Sequence, residues 1–333
     1  MNTIMENILE VRNLKKHFRI KNGFFHRDAG AVKAVDGVSF TLKKGETLGL
    51  VGESGCGKST LGRTLIRLYE PTEGSILFKG QDFCQVKGSQ LRQLRRHIQL
   101  IFQDPYASLD PRMTIGQILM QPMEIHNLHA PKERLDRARE LLELVGLRPT
   151  HIDRYPHEFS GGQRQRISIA RAIALEPELI IADEPVSALD VSIQAQILNL
   201  LKDLQDKFKL TFIFISHDLK VIEHFCDRVS VMYLGRIVET ATRDEIYENP
   251  RHPYTQALFS SIPQVGHGKK KIQKGLTGEV PSPLDPPTGC HFHPRCPRVM
   301  AKCSVESPLI TSITEHHEAA CWLNTNITET KQP

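Results

Sequence analysis

Apolar positions along the chain follow two rhythms, and each change of rhythm marks an element. ILEVRNL (8–14), VSFTL (38–42) and ETLGLVG (46–52) read as strands, with a Gly- and charge-containing loop at 21–31 between the first two. ETLGLVG runs into a Gly-rich turn and a helical stretch, Lys58 to Tyr69. SILF (75–78) and IQLIF (98–102) read as further strands. From Thr114 to Leu147 the period is helical, with Leu135, Ala138, Leu141, Leu142 and Val145 on one stripe. Pro105, Pro111 and Pro156 punctuate its approaches. Strands at 178–183, 211–215 and 228–234 then alternate with helices at 162–174, 191–206 and 218–225. That alternation predicts an α/β fold with a mostly parallel sheet covered on both faces. From about Gln264 the pattern stops: GHGKKKIQKG (266–275) reads as a solvated linker, and 280–308 is rich in Pro and Cys.

Composition narrows the class without naming a function. Of 333 residues, 40% are apolar and 24% charged, which excludes wholesale disorder and collagen-like or coiled-coil structure. The net charge of +5 is too weak to argue for nucleic acid. No run approaches the roughly 18 apolar residues of a membrane helix, and the first residues lack the basic and apolar regions of a secretory signal. A cytosolic chain is expected, where disulfides are rare. If it works at a membrane, other chains do the spanning. Seven cysteines are present, and four of them, Cys290, Cys296, Cys303 and Cys321, fall in the last 44 residues.

Candidate chemistry starts at Gly52-Glu53-Ser54-Gly55-Cys56-Gly57-Lys58-Ser59, which fits G-x-x-x-x-G-K-[ST] between a strand and a helix. The glycines let successive backbone N–H groups face phosphates, and the helix start adds its dipole. Lys58 reaches the β- and γ-phosphates, Ser59 ligates Mg²⁺, and Thr60 completes the ATP-binding run. Ile180-Ile181-Ala182-Asp183-Glu184 is an apolar strand ending in two carboxylates. Asp183 is the expected second Mg²⁺ contact, and Glu184 is expected to polarise the attacking water. Ser160-Gly161-Gly162-Gln163 opens another helix and makes a second phosphate-sized site. One ATP does not need two such sites. A head-to-tail pair of chains, each capping the other's nucleotide, resolves this; an ordinary N-cap at Ser160 is the structural alternative.

The ordered set 52–59, Gln103, Ser160–Gln163, Asp183–Glu184, Ser187-Ala188-Leu189-Asp190 and His217 resembles the nucleotide-binding subunit of ATP-binding cassette (ABC) transporters over residues 8 to about 245. The resemblance implies a P-loop NTPase with an antiparallel β subdomain and a helical signature subdomain (about 104–175). It implies that Gln103 senses Mg²⁺ and water and faces the membrane subunits. Asp190 communicates across the dimer, and His217 holds the γ-phosphate. Phe18 is similar in place to the aromatic that stacks on adenine, a core Phe being the alternative.

VKAVDGVSF, FQDPYASLDPRMTIGQI, NPRHPYTQAL and SPLDPPTGCHFHPRCP resemble the ATPase subunits of dipeptide and oligopeptide importers, closest to the second, F-type, ATPase of those permeases. This resemblance implies an ATPase domain at 1–262 and a C-terminal extension at 263–333. It implies a heterodimer with a second homologous ATPase under two transmembrane permease subunits. An extracytoplasmic peptide-binding protein would feed the complex, and the chain would sit at the cytoplasmic face of a bacterial inner membrane. Nickel or glutathione import, antimicrobial-peptide export, and a soluble cassette acting on ribosomes or nucleic acid remain alternatives. The four clustered cysteines have gaps of five, six and 17 residues. Without a close C-x₂₋₄-C pair they suit a [4Fe–4S] cluster, which members of this family can carry, with Zn²⁺ or free thiols as alternatives. His291, His293, His316 and His317 are possible substitute ligands. Cys56, Cys84 and Cys226 read as structural. Arg164, Arg166 and Arg171 follow the signature and are candidates for attracting phosphates.

Overall fold

The computed structural model describes residues 6–22, 27–260 and 278–327. The expected linker and Lys269–Lys271 lie outside the described residues. The chain forms two compact units. One comprises Met1–Ile8, Lys43–Thr47 and Gln81–Ile215; the other comprises Leu9–Leu42, Leu48–Gly80 and Ser216–Pro333.

In the first unit three strands, Ile98–Ile101, Leu179–Asp183 and Thr211–Ile215, form a parallel ladder with Ile98 opposite Leu179 and Asp183 opposite Ile215. Every residue of Leu179–Asp183 and Thr211–Ile215 is buried, so both read as unbroken apolar runs. The helical pattern from 114 to 147 is two helices, Ile115–Ile125 and Pro131–Leu144. The break has a local cause. Asn127 and His129 take left-handed backbone (φ 52° and 58°), and Pro131 has no N–H to continue an earlier turn. Thr114 caps the first helix, accepting from the Gln117 N–H. Ala138, Leu141 and Leu142 of the second turn inward, as the stripe predicts. The signature helix, Gly161–Ile173, buries Ile167, Ile169, Ala170 and Ile173.

In the second unit Asn7–Asn22 pairs with Glu73–Phe78 antiparallel, Leu9 opposite Phe78 and Arg12 opposite Ser75, and a long strand, Arg27–Lys43, lies on its other side. These are the strands of the antiparallel β subdomain. Both outrun their apolar segments, because backbone pairing continues past the positions that face the core. Thr47–Val51 pairs parallel with Arg228–Tyr233 and leads into the helix Lys58–Leu65. That helix stops short of Tyr69, since Arg67 is left-handed (φ 54°). Arg236–Thr242 folds back antiparallel on Arg228–Tyr233. A short hairpin of the extension, Thr311–Thr314 and His317–Ala319, then adds to it with Glu239 opposite Ala319.

Candidate active site

The phosphate loop departs from the buried strand Thr47–Val51 and curls through three glycines with positive φ: Gly52 (151°), Gly55 (79°) and Gly57 (108°). A Cβ on Gly57 would lie 2.0 Å from the Ala34 carbonyl oxygen, and one on Gly52 would lie 2.2 Å from that of Met232. Only glycine fits where the backbone passes this close. Lys58 is 5% exposed, and its Nζ donates to the carbonyls of Gly52 (2.7 Å) and Glu53 (3.0 Å). The ammonium is thus already folded over the loop that would hold the phosphates. Ser59 and Thr60 occupy the first turn of the helix, and Ser54 and Gly55 are exposed at the loop's crest. Cys56 is buried beneath it. Burial pushes its thiol pKa up, which makes it a filler of space and not a reactive group.

Around the loop in the same unit stand two other expected residues. Ser216 N–H donates to Leu50 O (3.3 Å), and Asp218 caps the helix Leu219–Phe225 through the Lys220 N–H (2.9 Å), so His217 is exposed between two fixed neighbours. Phe18 is half-buried, edge-on to Tyr69 with ring centroids 5.3 Å apart, and the Lys16 ammonium lies 4.9 Å from its centroid.

The first unit holds the remaining groups. Asp183 ends its strand fully buried. Glu184 follows in left-handed backbone (φ 48°), a conformation uncommon for a residue with a side chain and concentrated at functional sites. Its N–H donates to Ile215 O (2.9 Å), and its carbonyl accepts from Ser187 Oγ (3.1 Å). The carboxylate accepts from Gln103 Nε2 (3.1 Å), bringing two expected catalytic residues together. Ser160 caps the signature helix: its Oγ accepts from Gln163 N–H (3.4 Å), while Gln163 Oε1 accepts from Ser160 N–H (3.0 Å). Ser160 and Gly161 are exposed. A Cβ on Gly162 would meet Ile193 Cγ2 at 2.6 Å, so that glycine is set by packing. Asp190 stands exposed at the start of Val191–Phe208 and makes no side-chain cap bond.

The three arginines after the signature each reach a backbone carbonyl. Arg164 Nε donates to Pro156 O (3.0 Å), Arg166 Nη1 to Val145 O (2.7 Å), and Arg171 Nη1 to Ser108 O. Guanidinium donors suit otherwise unpaired backbone carbonyls, and these brace the helical subdomain.

Cys290, Cys296, Cys303 and Cys321 line one cavity, with Phe292 and Trp322 in its wall. Burial raises the pKa of Cys290 and Cys296 and pushes Cys321 up to about 11, the nearby sulfurs adding to the rise. Among the described residues no group of three or more His, Cys, Asp or Glu side chains is placed to hold a single metal ion. Two of the four histidines are engaged elsewhere: His291 Nδ1 lies 3.3 Å from Leu234 O, and His317 Nε2 lies 2.7 Å from Glu239 Oε1. Burial lowers His291 to about 4. His293 borders the cavity, and exposed His316 is 4.0 Å from Glu315.

Two residues within the importer-like segments NPRHPYTQAL and SPLDPPTGCHFHPRCP, given no role from sequence, also touch the loop. Glu53 N–H donates to Tyr254 Oη, and the Glu53 carboxylate accepts from Arg295. They stand 201 and 242 residues away in sequence, and no local spacing points to them.

Residues 35–187 match the ABC transporter family model, and 238–303 match the model of the oligopeptide/dipeptide transporter C-terminal region. The chain is 58% identical to the oligopeptide transport ATP-binding protein AppF of Bacillus subtilis (strain 168), covering 96% of this chain and 98% of that one. It is 52% identical to a putative peptide import ATP-binding protein of Brucella ovis, covering 94% and 97%. Among solved structures it is similar to the ATP-binding cassette MJ0796 in a dimeric post-hydrolysis state bound to ADP and Pi (TM-score 0.63, 28% identity, 71% of this chain and 98% of that one). It is also similar to cbiO1 of Clostridium perfringens, part of the transporter complex cbiONQ (TM-score 0.62, 28% identity, 73% and 92%). Identity of this extent along nearly the whole chain, on a cassette fold, makes the chain a member of the ATP-binding subunits of oligopeptide/dipeptide ABC transporters, an ATPase.

Proposed function

We propose that the chain is the motor subunit of an importer of dipeptides or oligopeptides. It pairs head-to-tail with a second homologous ATPase beneath two transmembrane permease subunits, at the cytoplasmic face of a bacterial inner membrane. An extracytoplasmic peptide-binding protein delivers the solute. The observation that carries this reading is the presence on one chain of the cassette and of the oligopeptide/dipeptide C-terminal region. Among the described residues no helix is long and apolar enough to cross a membrane, which is consistent with spanning by partner chains.

Within the site, the loop amides and Lys58 bind the triphosphate. Ser59, Gln103 and Asp183 supply hard oxygen donors, the chemistry Mg²⁺ takes, and the bound ion would neutralise phosphate oxygens. Glu184 orients water and accepts its proton, steadied by Gln103. His217 holds the γ-phosphate. The partner ATPase's own signature closes this site, and Ser160–Gln163 of this chain close the partner's, because the capped helix presents an exposed positive end. Catalysis is positioning and charge compensation, as phosphoryl transfer requires.

Peptide uptake tests the proposal. A strain lacking this chain should lose uptake of labelled di- and oligopeptides. The wild-type chain should restore it in a manner dependent on the external binding protein. Undiminished peptide uptake in the deletion strain, with the chain recovered on ribosomes, would overturn it.

For the cysteines the proposal is a [4Fe–4S] cluster. Four thiols line one cavity, and four thiolates are the ligand set that such a cluster takes. Protein purified without oxygen should be brown and contain iron and acid-labile sulfide in equal amounts. A colourless protein with equimolar zinc would sink the assignment.

A further inference from the structure

Glu53 places a carboxylate within the phosphate loop. Its carboxylate has the same sign as the triphosphate and would repel it unless neutralised. In this chain it is neutralised from a distance. Arg295 donates from Nη1 (2.7 Å) and Nη2 (3.0 Å) to the two carboxylate oxygens of Glu53. The Arg295 side chain is 5% exposed and that of Glu53 24%. The pair holds the guanidinium pKa above its ordinary value, with the Glu53 hydrogen bond the main cause. Such a fork is geometrically specific, and losing one partner leaves a poorly solvated charge.

Glu53 is fixed at three points. Its side chain meets Arg295, its N–H donates to Tyr254 Oη (2.9 Å), and its carbonyl accepts from Lys58 Nζ (3.0 Å). The last contact joins it directly to the lysine that binds phosphate. Behind the first two lies an aromatic wall. Tyr233 packs on Tyr254 (centroids 4.7 Å apart) and on Phe292 (5.3 Å). Phe292 also lines the four-thiol cavity, and Arg295 directly precedes Cys296 of that cavity.

We infer that Arg295 and Tyr254 are positioning residues for the phosphate loop, so that the segment 290–304 of the C-terminal region sets nucleotide affinity. The inference rests on the reading of 52–59 as the ATP phosphate site. Arg295 removes a repulsive charge and orients the loop; Tyr254 fixes the backbone of its second residue. By reciprocity, nucleotide that orders the loop must also order the segment.

Affinity for a fluorescent ATP analogue with Mg²⁺, measured on the full chain, tests this. Arg295→Ala should weaken binding about 10-fold without abolishing the thermal unfolding transition. Adding Glu53→Gln to Arg295→Ala should recover most of that loss, because the unneutralised carboxylate is gone. A merely structural arginine predicts no such recovery. Affinity within about twofold of wild type in folded Arg295→Ala, or losses that multiply in the double variant, overturns the inference. Should Arg295→Ala fail to fold, hydrogen exchange on the wild-type chain decides. Mg-ATP should slow amide exchange across 290–304, and unchanged exchange overturns the inference. The Lys58→Ala chain separates the two levels: if it keeps full ATP affinity, the ATP-site reading fails, whatever Arg295 does.

Discussion

A Glu184→Gln chain is expected to bind ATP with affinity close to wild type and to lose steady-state turnover by about 10²- to 10⁴-fold. Gln is nearly isosteric with Glu. The left-handed backbone at this position is held by the N–H bond to Ile215 O and by Ser187, contacts that the side-chain change does not touch. What is lost is the negative charge and the basic oxygen proposed to face the attacking water. With hydrolysis blocked and binding intact, ATP should hold two cassettes together. Light scattering of the variant mixed with its partner ATPase and Mg-ATP is expected to show a stable dimer that the wild type populates only transiently. Normal phosphate release by this variant would remove Glu184 from its role.

Lys58→Ala is expected to fail one step earlier, at binding. Lys58 is almost wholly buried and spans the loop through two carbonyls. Hydrogen bonds to a charged group contribute about 1.5–3 kcal/mol, which corresponds to a roughly 10- to 150-fold rise in Kd. Equilibrium dialysis with labelled ATP checks this. An unchanged Kd would place the triphosphate elsewhere. The two variants together separate binding from chemistry: one should hold nucleotide without turning it over, the other should not hold it.

The parts of the molecule that could be read from sequence are those whose physics is local. Leu179–Asp183 and Thr211–Ile215 are continuous apolar runs because both faces are covered. The phosphate loop is legible because a tight curl needs glycine at fixed spacing, and Gly52 and Gly57 prove to be places where a Cβ would collide with backbone. The break between Ile115–Ile125 and Pro131–Leu144 was written in Asn127, His129 and Pro131, but a stripe of apolar residues carries the eye across it. Long-range pairing left no such trace. Thr311–Thr314 and His317–Ala319 are short and largely polar; they are strands because they pair with each other and His317–Ala319 pairs with the distant Arg236–Thr242. Arg295 and Glu53 look like ordinary charges until the fold sets them 2.7 Å apart. Ser160 lies exposed within one chain, and its proposed partner is a nucleotide on another, so a single copy carries only half of that argument.

The hairpin of the extension also bears on how the chain is made. It covers the free edge of Arg236–Thr242, and it brings His317 to Glu239, a carboxylate with no exposed surface that also accepts from the backbone N–H groups of Arg251 and His252. Until residues 311–319 have left the ribosome, that edge stands open and the carboxylate lacks its ring partner. An open edge is a template for pairing with other chains. Segments synthesised earlier can fold as they emerge, but this sheet closes only once the later hairpin, Thr311–Thr314 and His317–Ala319, has been made. The interval before closure is the one in which a nascent chain of this kind most needs a chaperone.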